Sequence, residues 1–317
     1  MSAIVHVAVV IVNYRTPLLV TQCLASLANE AGPDMKLRVI VGDAQSGDDS
    51  VAIIQKYIRE QGIGDWVLCF DIGKNGGFAF GNNAIFERHV ADDPDFDFVY
   101  FLNPDTYIHP GAVRALSTFL SDHHRVGVAG SRVENPDGSW RAYAFRFPKP
   151  WREFFRGARI GALNKLVSRA AVNIRHLDHT RQVDWVTGAS FMMPRPILDQ
   201  VGLMDDGYFL YFEETDLMAR VRAAGFEVWH VAESRVVHLA GQSTGVRSDD
   251  VLKRLSPIWL ESRQRFFKKH HGRAGFWRAN LFFLVGDLLY RAHRLLRRKP
   301  VDNPPHMWQD YLASGRK

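Results

Sequence analysis

The feature that most constrains this chain is a regular alternation of short apolar runs with helical patterns over its first 130 residues. Residues 5–12 form a continuous run rich in β-branched side chains, typical of a strand covered on both faces. The predicted strands are 5–12, 37–41, 67–70 and 96–102, and the predicted helices are 17–29, 51–61, 78–89 and 111–121. Strands alternating with helices of this length pair in parallel. The sequence therefore predicts an α/β fold with a doubly wound, mostly parallel sheet.

The composition is that of an ordinary globular protein. The chain has 317 residues, of which 46% are hydrophobic and 23% charged, enough to build a large core. Its two cysteines, Cys23 and Cys69, lie in apolar surroundings and neither belongs to a CxxC pair, which argues against a disulfide framework or a thiolate metal site. No basic segment precedes the first apolar run, and no apolar stretch reaches the ~18 residues of a membrane span. These features predict a cytoplasmic protein.

The C-terminal tail differs from the rest of the chain in charge. Residues 251–299 hold 13 Lys and Arg against two acidic residues, so the net charge of +6 comes from the tail. Between 276 and 298 the helical spacing groups seven apolar residues on one face: Leu281, Leu284, Val285, Leu288, Ala292, Leu295 and Leu296. Asp287 and three arginines fall on the other face, and Phe283 and Tyr290 interrupt the pattern. This pattern predicts a basic amphipathic helix suited to a membrane interface, with nucleic acid as the other candidate anion.

Polar or glycine-rich residues follow each of the first four predicted strands. They are Asn13-Tyr14-Arg15-Thr16, then Gly42-Asp43-Ala44, then the Gly73–Gly77 loop, then Asn103-Pro104-Asp105. In open α/β sheets ligands bind beyond the carboxyl ends of the strands, so one shared site is expected there. The carboxylate of Asp105 suits a hard cation such as Mg²⁺ or Mn²⁺, and His238, at the end of a later strand, could be a second ligand. An Asx turn explains Asp105 equally simply.

A carboxylate cluster follows the aromatic run at 208–212. Glu213, Glu214 and Asp216 begin a predicted helix, where the helix dipole favours acidic residues. A carboxylate beside apolar rings also has a raised proton affinity, which suits a general base. Motifs of serine hydrolases, zinc proteases, kinases and dinucleotide-binding dehydrogenases do not occur in a convincing context.

Seven motifs in order give the chain its resemblance to a known family. They are Val-Ile-Val-Asn-Tyr (10–14), Val-Gly-Asp (41–43), Asn-Gly-Gly-Phe-Ala-Phe-Gly-Asn-Asn (75–83), Leu-Asn-Pro-Asp-Thr (102–106), Thr-Gly-Ala-Ser-Phe-Met-Met-Pro-Arg (187–195), Phe-Glu-Glu-Thr-Asp-Leu (212–217) and His238. Together they resemble the family 2 glycosyltransferases, inverting enzymes of the GT-A fold. The tail segment 259–270 looks most like the rhamnosyltransferase branch. The chain departs from the family pattern at Ala44, at Asn103 in the metal motif, and at Glu214, where Asp is usual.

The resemblance implies a role for each matching position. The donor nucleotide would contact Asn13, Tyr14, Asp43, Asn75, Gly76, Gly77, Asn83, Asn103 and Asp105. Asp105 and His238 would hold the metal. Trp185, Gly188 and Ala189 would line the acceptor side. The base would be Glu214, with Glu213 and Asp216 as the alternatives.

The implied activity is that of a metal-dependent inverting glycosyltransferase using Mn²⁺ or Mg²⁺. The donor would be a dTDP- or UDP-sugar, best dTDP-rhamnose, and the acceptor a polysaccharide or lipid-linked saccharide. Residues 1–250 would form the catalytic domain, with the nucleotide-sugar side in 1–130 and the acceptor side in 131–250, and 251–317 a tail on the inner membrane face. No nucleic acid is expected as a partner. The alternatives are a non-catalytic nucleotide or nucleic-acid binding module with a basic tail, and a nucleotidyltransferase, which usually carries a glycine-rich basic loop absent at 12–16.

Overall fold

The computed structural model describes residues 4–139, 143–159, 172, 174, 178–239 and 254–315. The strands are β1 Val5–Asn13, β2 Met35–Asp43, β3 Val67–Asp71, β4 Phe98–Leu102, β5 Thr106–Ile108, β6 Val126–Glu134, β7 Ala144–Phe145, β8 Arg181–Val183, β9 Trp185–Val186, β10 Ser190–Pro194 and β11 Glu227–His238. The helices are α1 Pro17–Leu27, α2 Ser50–Glu60, α3 Gly77–His89, α4 Ala112–Asp122, α5 Arg152–Ala158, α6 Arg195–Val201, α7 Glu213–Ala223, α8 Pro257–Leu296 and α9 Met307–Ala313. All eight elements predicted in the first 121 residues are present, with small shifts at their ends.

The first four strands form the parallel part of one large sheet. The strand order is β3-β2-β1-β4-β10-β6-β11-β5, with β8 added beside β11. β1 pairs in parallel with both β2 and β4, and β2 with β3. Strand β1 is almost completely buried, as its β-branched run predicts. The register sets Asn13 opposite Asp43 and Asp43 opposite Asp71, so the carboxyl ends of these strands reach the same edge.

The other part of the sheet is mixed. β10 lies antiparallel between β4 and β6, and β11 is parallel to β6 but antiparallel to β5. The sequence pattern predicts two short strands here, 227–230 and 235–238, whereas the structure has the single strand β11, whose register shifts between Val231 and Arg235. A chain of buried hydroxyl contacts crosses these strands: Tyr100 to Ser190 (2.7 Å), Ser190 to Ser131 (2.6 Å) and Ser131 to Ser234 (2.8 Å). These contacts satisfy polar groups that would be costly to bury alone.

The chain divides into two compact units. The first comprises residues 1–145, 175–209 and 213–247, and the second 146–174, 210–212 and 248–317. The sequence placed a single boundary near 250, whereas residues 146–174 and 210–212 group with the tail. None of the helices among the described residues combines the length and hydropathy of a membrane-crossing segment.

The second unit is built around α5 packed on α8. A Cβ added at Gly157 would lie 2.3 Å from the carbonyl oxygen of Phe283, so the two helices cross at glycine. Buried Glu153 accepts hydrogen bonds from Arg263 (2.8 Å) and Arg156 (2.5 Å). Burial alone would raise the pKa of Glu153, but Arg156 and Arg263 hold it below its ordinary value. An ion pair this deep in the unit depends on every partner being present.

The tail helix packs within the protein through the side that the sequence pattern assigned to polar residues. Asp287, assigned to the polar face, is fully buried, where Trp308 Nε1 (2.6 Å), Arg291 Nε (2.7 Å) and Asn303 Nδ2 (2.7 Å) all donate to its carboxylate. Phe283 and Tyr290, which interrupted the predicted pattern, are buried on the same side. The predicted apolar face is largely exposed. The helix therefore packs through an ionic and aromatic side that hydrophobic periodicity alone does not reveal.

Candidate active site

The turn after β4 brings together a carboxylate, an amide and an imidazole. His238, at the end of β11, lies with its Nε2 3.0 Å from Asp105 Oδ1 and 3.3 Å from Asn103 Nδ2. β5, which follows the turn, pairs His238 with Thr106, and this pairing brings residues 133 positions apart into contact. Asp105 Oδ2 and Asn103 Oδ1 are buried without a hydrogen-bond partner. Burying two oxygen acceptors without hydrogen bonds costs free energy, and this is unusual for a turn with a purely structural role.

This cluster fits a divalent cation in its donor set. The 3.0 Å between Nε2 and Oδ1 is close to the separation of adjacent ligands around an octahedral ion with bonds of about 2.1 Å. Within the described part of the chain, no group of three or more His, Cys, Asp or Glu side chains is gathered as a metal site would require. Among the described residues this cluster offers one pair of such ligands, Asp105 and His238, and water and substrate would supply others.

At the ends of β1 and β2, Asn13 and Asp43 form a buried pair. Asn13 Nδ2 donates to Asp43 Oδ2 (2.6 Å), and Thr16 donates to Asn13 Oδ1 (2.9 Å). Ser46 donates to both carboxylate oxygens of Asp43, through its backbone N–H (2.8 Å) and its hydroxyl (2.7 Å). This network holds the two side chains rigidly at the edge of the sheet, with few lone pairs left for a ligand.

Tyr14 and Arg15 lie on the exposed side of this pair. Tyr14 is half-buried, and the guanidinium of Arg15 lies 5.1 Å from the centre of its ring. Arg15 Nε donates to the carbonyl oxygen of Ser46 (3.0 Å), and its φ of 58° is in the left-handed region. Arg15 follows the first predicted strand but was not among the predicted site residues, and Ser46 was not singled out. The spacing of Ser46, three residues after Asp43, was an available signal because Asp commonly accepts such local hydrogen bonds.

The loop after β3 approaches the backbone of Phe209 closely. Phe78 N–H donates to the Phe209 carbonyl oxygen (2.9 Å), and a Cβ added to Gly77 would lie 2.0 Å from that oxygen. Gly77 has a φ of 90°, and its N–H donates to Asn75 Oδ1 (3.2 Å). A Cβ on Gly76 would meet the ring of Phe80 at 2.4 Å, against a side chain that can rotate. Position 77 therefore requires glycine for two reasons, the close contact with the Phe209 backbone and the positive φ.

Gly77→Ala is expected to destabilise the protein much more than Gly73→Ala. Both glycines have positive φ, 90° and 84°, so both substitutions carry a backbone cost of about 1–2 kcal/mol. A Cβ at Gly73 meets no atom within 4 Å, whereas at Gly77 it collides with backbone, which adds about 1–3 kcal/mol. Urea unfolding of both variants measures the difference. Equal losses would show that the segment around Phe209 moves freely away from α3.

The three candidate base carboxylates have different surroundings. Asp216 is fully buried and accepts a hydrogen bond from Arg220 Nε (3.1 Å), whose guanidinium also donates to three backbone carbonyls. Glu213 is buried, and burial followed by repulsion from Glu214 raises its pKa well above the ordinary value. Glu214 is half-buried, and burial raises its pKa as well. Each of the two glutamates has one buried oxygen, Oε2, with no hydrogen-bond partner.

The segment leading into α7 adds a backbone feature. Tyr211 and Phe212, directly before Glu213, have φ values of 72° and 69°. Two consecutive non-glycine residues in the left-handed region carry strain, and such strain concentrates at functional sites. It supports a functional assignment for the carboxylates that follow.

Gly188 and Ala189 lie between the carboxylates and the Asn103 turn. The position of a Cβ on Gly188 is 3.6 Å from Glu214 Oε1, and a hydrogen bond from the Gly188 backbone opposes the rise in the pKa of Glu214. The carbonyl oxygen of Ala189 accepts from Asn103 N–H (2.9 Å). A continuous path of contacts therefore runs from Glu214 to Asp105 and His238.

Two further candidates have environments that the sequence did not suggest. Trp185 stacks on Phe145 with ring centres 4.1 Å apart, and both rings are half-buried, a surface suited to the apolar face of a sugar. Asn83 uses both ends of its amide on the backbone of Met204, at 2.8 and 3.2 Å. We therefore assign Asn83 to holding α3 against the residues after α6, and leave it out of the nucleotide contacts proposed below.

A mixed sheet with a parallel half and polar residues at its carboxyl edge is the arrangement expected for the GT-A fold of glycosyltransferases. Solved structures confirm the fold. The chain superposes on GalNAc-T7 with UDP, GalNAc and Mn²⁺ with a TM-score of 0.60 at 12% identity, over 98% of this chain and 54% of that protein. It superposes on the mannosyltransferase PcManGT from Pyrobaculum calidifontis, in complex with GDP-Man and Mn²⁺, with a TM-score of 0.55 at 12% identity, over 98% of this chain and 85% of that one.

The family follows from sequence comparison. Residues 5–254 match the family described as glycosyltransferase like family 2, and the chain belongs to that family. It is 29% identical to the N-acetylglucosaminyl-diphospho-decaprenol L-rhamnosyltransferase of Mycobacterium tuberculosis, over 91% of this chain and 92% of that protein. It is 22% identical to the rhamnosyltransferase WbbL of Escherichia coli K12, over 68% of this chain and 77% of that one. The chain is thus a rhamnosyltransferase-like family 2 glycosyltransferase, as its motifs predicted.

Proposed function

We propose that this protein transfers L-rhamnose from dTDP-rhamnose to a lipid-linked saccharide, with inversion at the anomeric carbon and with Mn²⁺ or Mg²⁺ bound. The observation that carries the proposal is the environment of Glu214. This residue is half-buried, has a raised pKa and an unpartnered oxygen, and connects through Gly188 and Ala189 to the Asp105–His238 cluster. A base and an anion-stabilising cluster on one contact path are what a displacement at a sugar carbon needs.

In the proposed reaction Glu214 accepts the proton of an acceptor hydroxyl as that oxygen attacks the anomeric carbon. The new carbon–oxygen bond forms on the face opposite the bond to phosphate, which breaks, and the nucleoside diphosphate leaves with the electron pair. The proton then rests on Glu214, whose partly buried position favours the neutral acid. We assign the base to Glu214 in preference to Asp216, which is buried against Arg220, and in preference to Glu213, whose side chain is covered.

We assign donor binding to the carboxyl edge of the first four strands. Asn13 and Asp43 would contact the nucleoside from the sheet edge, with Tyr14 beside them. The loop residues Asn75, Gly76 and Gly77 would contact it from the other side. Arg15, exposed beside Asn13 and Asp43, adds a positive charge suited to a diphosphate. Trp185, Gly188 and Ala189 are assigned to the acceptor side, together with Phe145.

Asp105 and His238 are the residues proposed to hold the divalent ion, with Asn103 Oδ1 as a further oxygen. When bound, such an ion supplies positive charge next to the departing diphosphate. The proposal rests on the 3.0 Å contact of the two side chains and on the orphaned oxygens of Asp105 and Asn103.

The choice of sugar and acceptor is supported by the Mycobacterium tuberculosis relative, whose name specifies L-rhamnose and an N-acetylglucosaminyl-diphospho-decaprenol acceptor. That similarity extends over nearly the full length of both chains, so it includes the segments that would contact the acceptor as well as the nucleotide half. The proposed place of action is the cytoplasmic face of the cell membrane.

A donor comparison tests this function. Purified protein with Mn²⁺ is incubated with dTDP-rhamnose, UDP-GlcNAc or GDP-mannose and a short-chain polyprenyl diphosphate carrying N-acetylglucosamine. Mass spectrometry of the lipid product is expected to show addition of one deoxyhexose from dTDP-rhamnose, and NMR an anomeric configuration opposite to that of the donor. Transfer from another donor alone would overturn the assignment of the sugar. Retention of configuration would overturn the single displacement by Glu214.

A further inference from the structure

The exposed side of the C-terminal half of α8 carries a row of large apolar side chains. Trp277, Leu281, Phe282, Val285, Leu288, Leu289 and Leu296 are each between 38% and 84% exposed. At 100° per residue they fall within one sector of the helix, and at 1.5 Å per residue the row is about 30 Å long. Soluble monomers rarely display so large a contiguous apolar patch without a partner for it.

The opposite side of the same helix already has its partners. Phe276, Phe283 and Tyr290 are buried there, and the ring of Tyr311 stacks on Phe283 with centres 4.2 Å apart. A Cβ added at Gly286 would lie 2.1 Å from the carbonyl oxygen of Phe154 in α5. The helix is thus fixed within its own unit through one side, so the exposed row is a formed surface and does not need to fold onto the protein.

The exposed charged side chains between residues 273 and 299 are all basic. Arg273 and Arg278 are exposed near its beginning, and Arg297, Arg298 and Lys299 at its end. Between 273 and 299 the single acidic residue is Asp287, which is fully buried and already hydrogen-bonded. A symmetric dimer would bring this basic rim against its own copy, which like-charge repulsion disfavours. An anionic lipid surface matches both the apolar row and the basic rim.

We propose that the face of α8 from Trp277 to Leu296, named here the α8 apolar face, inserts into the interfacial region of an anionic bilayer. The apolar side chains enter the boundary between headgroups and acyl chains, and the five cations contact lipid phosphates. Trp277 lies at one end of the row, and tryptophan is enriched at membrane–water interfaces. This surface lies in the second unit and its lipid binding does not depend on which sugar is transferred.

The test uses the full-length chain and vesicles of phosphatidylcholine with and without an equal part of phosphatidylglycerol. Wild type is expected to sediment with the anionic vesicles, at least tenfold less with the neutral ones, and less as salt is raised, because salt screens the basic rim. The double variant Leu281→Ser, Leu288→Ser is expected to lose at least tenfold in binding to the anionic vesicles. Both leucines are more than half exposed, so its thermal unfolding should match wild type.

Leu18→Ser is the matched control, since Leu18 is 67% exposed in α1 of the first unit, and its vesicle binding should equal wild type. Equal vesicle binding by wild type and the double variant would overturn the proposal. So would wild-type dimerisation, seen by analytical ultracentrifugation and lost in the double variant, without vesicle binding. Binding of single-stranded RNA in preference to anionic vesicles would also overturn it. Sugar transfer to a water-soluble acceptor analogue, measured in parallel, separates loss of lipid binding from loss of activity.

Discussion

Glu214→Gln is expected to lower the rate of sugar transfer by a factor of about 10²–10⁴, the range that a positioned general base contributes. Glutamine keeps the size of the side chain but cannot accept a proton from the acceptor hydroxyl. Donor binding should change little, because no donor contact is assigned to Glu214. The rate is followed as release of nucleoside diphosphate in the presence of acceptor, and donor affinity by titration without acceptor.

Glu213→Gln is the matched control for that experiment. The pKa of Glu213 is raised by burial and by the neighbouring Glu214, so in the folded protein it is the better candidate of the two to hold a proton. Glutamine imitates that neutral form, and transfer is expected to stay within a few fold of wild type. A large loss in Glu213→Gln with an active Glu214→Gln would reassign the base to Glu213.

The two variants also differ in their dependence on pH. Burial raises the pKa of Glu214, so the transfer rate should begin to fall, as pH is lowered, at a pH above the ordinary glutamate pKa. Any residual activity of Glu214→Gln should lack this acid-side fall.

For stability, the folded state holds the Glu213 proton more tightly than the unfolded state does. Raising pH from the ordinary glutamate pKa towards the raised one therefore costs folding free energy, and Glu213→Gln should become progressively more stable than wild type over that window.

The sequence was sufficient for the parallel half of the fold because its signals are local. A run of β-branched residues such as Val5–Asn13 is typical of a strand that is covered on both faces, and alternation of strands with helices leads to parallel pairing. The mixed half depends on long-range partners that no local pattern encodes. β10 lies between β4 and β6, and Glu30 reaches 81 residues along the chain to accept from Gly111 N–H at the start of α4. Neither contact is visible in the spacing of residues.

The structure brings Asn103, Asp105 and His238, which the motifs single out, into contact with one another. A motif does not separate ligand binding from packing where the same side-chain chemistry serves both. The amide of Asn83 fits a nucleotide as well as it fits the Met204 backbone, and the structure shows it on the latter. The tail helix shows the same ambiguity, because buried Asp287 has three donors that come from distant residues as well as from its own helix. Charge and periodicity place a side chain on a helical face but do not say which face is covered.

Asp105→Asn distinguishes a metal ligand from a structural hydrogen bond. Asparagine retains an oxygen at the position of Oδ1, so the 3.0 Å contact with His238 Nε2 can survive, and a purely structural turn would be little affected. As a metal ligand, asparagine lacks the negative charge, and the apparent affinity for Mn²⁺ is expected to fall by at least about 10- to 100-fold, by analogy with losses at metal sites.

Mn²⁺ binding is measured by electron paramagnetic resonance with nucleoside diphosphate present, and transfer is measured alongside it. Asp71→Asn, an exposed carboxylate at the same edge of the sheet, is the control and should bind Mn²⁺ like wild type. Because the metal would sit between a protein carboxylate and a diphosphate, neutralising Asp105 should weaken Mn²⁺ binding and transfer together, whereas unchanged Mn²⁺ binding would leave the Asp105–His238 contact a structural one.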